Sequence, residues 1–332
     1  MKVGLTYDLR DEYLAEGYGD EETAEFDRPE TIEAIDAALR RFGFETDRIG
    51  HAKDLVKRLA RGDRWDWVFN IAEGMYGIGR EALVPALLEA YQIPCTFSDS
   101  MVLALTLHKG MTKHVIKHLG IPTPDFAIIE IEHDLANVNL AFPLFAKPVA
   151  EGTGKGITAA SKLANRDELQ VVCRRLLAEY RQPVLVERFL PGREYTVGLF
   201  GTGREARAFG AMEVVLNAEA ENDVYSYHNK EHYEGLVEYR LVEGEAGEKA
   251  KAVALAAWRG LGCRDAGRID VREDEHGVPN FIEVNPLAGI RPIHSDLCII
   301  CNLLGISYNQ MIETIVRSAL RRFDLPFPSA VA

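Results

Sequence analysis

Residues 265–286, DAGRIDVREDEHGVPNFIEVNP, constrain this chain more than any other stretch. Arg268 to Glu273 and Asn280 to Val284 alternate polar with apolar side chains at a period of two. DEHG between them supplies turn residues, so the segment reads as a β-hairpin. With the turn centred on His276 and Gly277, Asp270 stands opposite Glu283 and Arg268 opposite Asn285, and one face carries all four. Directly opposed side chains lie about 4.5–5.5 Å apart at Cβ, where like charges destabilise a sheet unless something compensates. A divalent cation would compensate: two carboxylates and an amide oxygen suit Mg²⁺ that completes its octahedron with nucleotide phosphates and water. A solvated hairpin face, with Arg268 neutralising Asp270, would do so too, and the hairpin by itself does not decide between them.

The 332 residues exceed one ordinary core and imply two or three domains. Apolar residues at 47% and charged residues at 27% are those of a soluble globular protein. The 38 basic and 51 acidic side chains give a net charge of −13, which opposes any broad contact with a phosphate backbone and argues against a nucleic-acid partner. No apolar run approaches the roughly 18 residues of a membrane span, and Asp8 and Arg10 interrupt the N-terminus before a signal segment could form. A cytoplasmic location is therefore expected, with no membrane partner. Five scattered cysteines argue for reduced thiols, and Cys298 and Cys301 in LCIICNLLGI fit a core-facing helix turn better than half of a zinc site.

Along the chain, KVGLTY fits a buried first strand, a long acidic loop occupies residues 8–30, and TIEAIDAALRRFG carries a helical apolar stripe that ends at Gly43. A helix near Ala52 to Ala60, the strand WVFNI, the loop AEGMYGIGRE and the helix EALVPALLEAY follow. This alternation predicts a doubly wound parallel sheet with its functional loops, including Glu73 and Gly74, at the carboxyl ends of the strands. IPCTFS at 93–98 reads as a further strand, and MVLALTLHKGMTKHVIKHLG as a helical stretch leading out of the unit. After the stiff connector IPTP the pattern becomes α+β: strands in DFAIIEI, FPLFAKPV, GITAAS and PVLVERFL, with the helix RDELQVVCRRLLAEY among them. A third unit holds EYTVGLFG, EARAFGAMEVVL, a polar loop at 217–235, a helix near 246–261, the hairpin and two closing helices.

Lys147 ends an apolar strand immediately before the glycine-rich loop EGTGKGI, residues 151–157. Backbone N–H groups of such a loop can cradle phosphate oxygens, and a lysine emerging beside it can pair with the same charge. The loop is neither a Walker A nor a dinucleotide fingerprint, and a glycine loop between strands is more often a plain hairpin turn.

Six landmarks in consistent order carry a resemblance: FNIAEGMYGIGREALVPALLEAYQIPCTFS, LHKGMTK, FAKPVAEGTGKGI, PVLVERFLPGREYTV, YSYHNKE, and GRIDV with FIEVNPLAG. Together they resemble the ATP-grasp ligases, closest to the D-alanine:D-alanine ligase family. The resemblance implies three domains: an N-terminal doubly wound unit at 1–107, a central lid unit at 108–190 and a C-terminal unit with the hairpin at 191–332. It implies ATP as cofactor, gripped between the last two, and sites for two Mg²⁺ ions at Asp270, Glu283 and Asn285. Lys109 and Lys147 match lysines that hold nucleotide phosphates, and Gly152, Thr153 and Gly154 match the loop that closes over them. Glu187 matches the acid beside adenine, with Arg188, Phe189 and Leu190 following it, and Glu194 the acid on the ribose. Arg268 and the N–H of Gly289 match oxyanion donors, and Thr153 and Lys230 complete the catalytic and nucleotide set. The implied reaction is phosphorylation of a carboxylate by ATP, then amine attack on the acyl phosphate, with the 217–235 loop as a lid against water.

The departures fall where the family touches amino acids. Instead of a glycine-rich first loop and the glutamate that grips the first ammonium group, this chain has TYDLRDEY, with Glu25 and Glu30 as the acids available. Glu231 replaces the lid tyrosine, and Arg291, His294 and Ser295 lie where a serine would hold the acceptor carboxylate, so Glu73, Glu231, Arg291, His294 and Ser295 are the substrate candidates. The favoured expectation is an ATP-dependent ligase for amino acids or peptides. The alternatives are an ATP-grasp ligase of another pathway and a silent nucleotide-binding protein, and a homodimer is a compatible assembly.

Overall fold

The computed structural model describes residues 1–216 and 237–328. Lys230 and Glu231, with the whole of the expected lid at 217–235, lie outside the described residues.

The first unit is a three-stranded parallel sheet. Strand β1 (Lys2–Thr6) leads into helices α1 (Arg10–Ala15) and α2 (Pro29–Arg41), then strand β2 (Glu45–Gly50), helix α3 (Ala52–Ala60) and strand β3 (Trp67–Asn70), in the order β2-β1-β3. Helix α2 begins with Pro29, whose missing N–H costs nothing in a first turn, and buries Ile32, Ile35 and Leu39. The expected strand at 93–98 is reduced to one bridge, Cys95 to Val68. Pro94 has no N–H for a ladder and Phe97 turns the chain away with φ +66°.

Helix α4 (Leu83–Ala90) is followed by α5 (Ser100–Leu107) and α6 (Lys109–His118). The expected single helical stretch breaks at His108, whose ψ of 87° is not helical and whose Nδ1 accepts the N–H of Met111 at 3.1 Å. This cap starts α6 at Lys109 and places that lysine against Val149, whose carbonyl accepts the Lys109 N–H at 3.1 Å.

Strands β4 (Phe126–Ile129), β5 (Leu144–Pro148) and β6 (Lys162–Leu163), helix α7 (Arg166–Tyr180) and strand β7 (Val184–Arg188) form a second unit, an antiparallel sheet ordered β4-β7-β5-β6. GITAAS, expected as a strand, is instead a 3₁₀ turn at Ala159–Ser161. Gly156 at φ +74° bends its approach, and Ser161 Oγ accepts the Thr158 N–H at 3.1 Å.

Strands β8 (Glu194–Phe200), β9 (Arg207–Leu216) and β10 (Val237–Leu241) precede helix α8 (Gly244–Leu261), strands β11 (Ala266–Glu273) and β12 (Pro279–Asn285), and helices α9 (Asp296–Leu303) and α10 (Tyr308–Arg322). The sheet is antiparallel in the order β10-β9-β8-β11-β12, with Trp258 of α8 buried against Val197, Leu199, Ile269 and Phe281. Helices α9 and α10 return to the first sheet, so Leu297, Met311, Ile315 and Leu320 share a core with Val3, Leu5 and Phe69. Cys298 and Cys301 lie in that core as free thiols.

Candidate active site

The hairpin sets the floor of the site. Its register pairs Arg268 with Asn285 and Asp270 with Glu283, as the alternation predicts, and then slips by one residue after Asp270. The bulge re-aims the strand beyond the acid pair. Asp270 accepts the hydroxyl proton of Thr196 on β8 at 2.9 Å, which fixes its orientation. Among the described residues no three His, Cys, Asp or Glu side chains converge to hold a metal by themselves. The donor set is two carboxylates and one amide, which fits an ion that takes its remaining ligands from phosphates and water.

Opposite the hairpin, β5 delivers Lys147, which is 4% exposed. Its Nζ lies 3.2 Å from Glu187 Oε1 and 3.7 Å from Glu283 Oε2, and Lys109 Nζ is also 3.7 Å from Glu283 Oε2. Burial works against the Lys147 charge, but Glu187 and Glu283 outweigh it and hold the pKa above the ordinary lysine value. Glu187 is held below the usual carboxylate range in spite of its burial, because Lys113 and Lys147 flank it.

Lys113, which the sequence pattern does not single out, stands behind Glu187 and supports it. It is fully buried, 2.7 Å from Glu187 Oε2, and it donates to Thr123 Oγ1 at 2.9 Å and to the Phe281 carbonyl at 3.3 Å. The available signal was its spacing of four from Lys109 in LHKGMTK, which places both on one helical face. Arg272 was missed too: it pairs with Glu194 at 3.0 Å and its guanidinium lies over the Phe189 ring. Arg188, Phe189 and Leu190 line the same cleft, and the guanidinium of Arg188 reaches past it to pair with exposed Glu275 at 3.0 Å.

The glycine loop bridges β5 and the 3₁₀ turn. Thr153 at φ +50° and Gly154 at φ +79° are left-handed, and the Thr153 hydroxyl donates to the Gly152 carbonyl at 2.9 Å. A left-handed threonine is a strained residue that its surroundings must hold in place.

A second cavity of about 630 Å³ adjoins this cleft, and Lys109, Glu151 and Asp296 line both. Glu25, Asp27, Glu73 and Glu81 face Arg268, Asn285, Gly289, Arg291, His294 and Ser295 across it. Glu30, by contrast, is exposed in the first turn of α2. Burial pushes Asp27 and Glu81 up to about 7, and it drives Glu73 well above the usual range, with Glu81 and Glu25 adding to the shift. Arg268 Nε lies 3.7 Å from Asp270 and 3.4 Å from Asp296, so the expected Arg268 to Asp270 pair is shared with a second acid that the sequence did not suggest. Ser295 Oγ accepts the Arg291 N–H at 2.9 Å and occupies the N-cap of α9, and His294 does not cap that helix.

Two antiparallel sheets that enclose a lysine-lined cleft over a carboxylate hairpin, joined to a parallel N-terminal sheet, make the architecture of an ATP-grasp ligase. A D-alanine–D-alanine ligase of Bacillus anthracis, solved with ATP, has this fold with a TM-score of 0.73 and 22% identity, covering 98% of this chain and 99% of that one. A family model described as the D-ala D-ala ligase C-terminus matches residues 115–317. The D-alanine–D-alanine ligase of Aquifex aeolicus is 32% identical over 288 residues, 86% of this chain and 93% of the relative. That of Bordetella avium is 32% identical over 280 residues, 82% and 84% respectively, and an uncharacterised Sinorhizobium fredii protein is 30% identical over 303 residues, 88% of each chain. The chain belongs to the D-alanine–D-alanine ligase family.

Proposed function

We propose that this ligase uses ATP to join two amino acids, or an amino acid and a related amine, and that its substrate pair departs from D-alanine with D-alanine. The observation that carries the reading is the continuity of the two cavities: Lys109, Glu151 and Asp296 line both, so a phosphoryl donor and an amino-acid carboxylate can meet there. In this reading Lys109 and Lys147 pair with phosphate oxygens: Lys109 makes one short contact, to the Glu151 carbonyl at 2.6 Å, and Lys147 one, to Glu187 at 3.2 Å, and each reaches Glu283 only loosely at 3.7 Å. Asp270, Glu283 and Asn285 would hold Mg²⁺, which would screen phosphate charge. Arg268 and the Gly289 N–H meet the oxyanion of the tetrahedral intermediate, in a low-dielectric cleft where such donors count most. Glu73 takes the first ammonium group, and Arg291, His294 and Ser295 receive the acceptor carboxylate.

The same reading keeps residues 1–107, 108–190 and 191–332 as the three domains, and Lys230 and Glu231 as members of the closing loop. The net charge of −13 supports small-molecule partners over nucleic acid. Among the described residues no helix is long and apolar enough to cross a membrane, and five buried free cysteines support a cytoplasmic location. The test is to supply ATP and Mg²⁺ with D-alanine, then with a panel of other amino acids, and to measure phosphate release and dipeptide. We expect faster phosphate release with another pair. Efficient D-alanyl-D-alanine synthesis, with a KM inside the usual range of roughly 1 μM to 1 mM, would overturn the altered-substrate part of the proposal.

A further inference from the structure

Glu25 lies where the acidic N-terminal loop crosses the glycine loop, and its side chain is 10% exposed. Its Oε2 accepts from Arg80 Nη2 and from Lys155 Nζ, both at 2.9 Å. Each cation is tied to the glycine loop by a second bond. Arg80 Nη1 donates to the Ala150 carbonyl at 2.8 Å, and Lys155 Nζ lies 2.7 Å from Glu151 Oε2. Arg80 and Lys155 are each 7% exposed, so these are buried charges whose partners cannot be removed cheaply. The Gly152 backbone passes so close that a Cβ there would collide with Glu25 Oε1. Arg80 and Lys155 also keep Glu25 ionised against its burial.

Oε2 of Glu25 is taken by the two cations and Oε1 lies against the Gly152 backbone, so the carboxylate is already engaged on both oxygens by the first unit and the loop. Glu73 lines the same cavity and, among the described residues, makes no hydrogen bond or ion pair. We infer that Glu25 is a positioning residue: through Lys155 and Arg80 it latches the glycine loop of the second unit onto the first, and the ammonium group is left to Glu73. The inference rests on the ATP-dependent ligase reading. It makes the loop that would cover the nucleotide depend on a contact at the wall of the second cavity, while binding of the amino acid does not pass through Glu25.

The experiment compares Glu25→Gln, Glu25→Asp, Lys155→Gln and Glu73→Gln in the full-length enzyme. KM is measured for ATP and for the amino acid that gives the fastest ADP release, with trypsin cleavage after Lys155 followed without nucleotide. Glu25→Gln should raise the KM for ATP about tenfold, as expected for loss of a charge-assisted contact. It should also speed the cleavage about tenfold and leave the amino-acid KM within about twofold. Glu25→Asp should recover part of both losses, because the charge is kept. Lys155→Gln should reproduce the ATP effect from the other side of the contact, which covers the case in which Glu25→Gln does not fold. Glu73→Gln should show the reverse split. A Glu25→Gln enzyme with a raised amino-acid KM, an unchanged ATP KM and an unchanged cleavage rate would overturn the latch. Failure of the wild-type enzyme to bind ATP in a calorimetric titration would instead overturn the ligase reading, and the cleavage rates would still decide the latch.

Discussion

The two halves of the cleft handle charge in opposite ways. On the side proposed for the nucleotide Lys113, Lys147 and Glu187 neutralise one another inside the protein, with Glu187 held low and Lys147 held high. On the side proposed for the amino acids Asp27, Glu73 and Glu81 are half-buried, and desolvation outweighs the cations near them and pushes all three toward their neutral forms. The first half is a finished electrostatic frame that can receive phosphate without rearranging its charges. The second becomes fully charged only when a cation arrives, so the ammonium group of a substrate would complete it.

The strongest way to break this comparison is to neutralise the hairpin acid that Lys109 and Lys147 both approach. Glu283→Gln keeps shape and hydrogen bonding but lowers the negative charge beside Lys109 and Lys147. We expect kcat to fall at least about a hundredfold with the fold intact by circular dichroism, a loss typical of removing one electrostatic stabiliser of a transition state. Activity like that of the wild type would remove the hairpin from the mechanism. The next effect is on stability. Lys113→Met leaves Glu187 with only Lys147 as counter-ion and should destabilise the protein by about 3 kcal/mol in a denaturant titration. Lys117→Met, which breaks the exposed pair with Asp125, should change it by less than about 0.5 kcal/mol. Equal effects of the two substitutions would show that the buried frame is no more costly to break than a surface pair.

The nucleotide half was the more legible in sequence, for a physical reason. Its residues sit on regular elements, where a period of two aligned Asp270 with Glu283 and an apolar strand pointed to Lys147. Lys113 was missed because a buried lysine on a helix looks like a surface residue until Glu187 is folded onto it from β7. The amino-acid half is assembled from the N-terminal loop, the 73–81 loop and the 286–296 segment, which carry no period. No pattern therefore announced that Glu25 would meet Arg80 across 55 residues and Lys155 across 130. The strand expected at 93–98 failed because Pro94 and the left-handed Phe97 override an apolar pattern.

A smaller effect sharpens the comparison from the ATP side. Lys147→Ala should weaken ATP binding by about 2 kcal/mol, roughly thirtyfold in Kd, since a desolvated charge-assisted contact is lost. Calorimetry on the purified variant measures it directly. An unchanged affinity would mean that Lys147 serves Glu187 alone and that the frame is structural.

The smallest effect probes the acidic half. Glu81 is raised by burial to about 7, against an ordinary value near 4.5. An acid whose folded pKa is raised binds its proton more tightly in the native state, so its contribution to stability is complete below the unfolded pKa. That contribution is lost as pH climbs through the folded pKa, here between about pH 4.5 and pH 7. Glu81→Gln carries no titratable group and escapes the loss. Its stability should match the wild type near pH 4 and exceed it at pH 8 by on the order of 1–2 kcal/mol, less than the full shift would give because Glu81 is only half-buried and solvent screens its charge. Urea titrations of both proteins across that range are the measurement. A cationic substrate added at pH 8 should narrow the gap, because it stabilises the ionised Glu81 of the wild type and finds no such charge in the variant. Parallel pH profiles, with a gap that the amine does not change, would show that Glu81 is already solvated and that the acidic half does not wait for a cation.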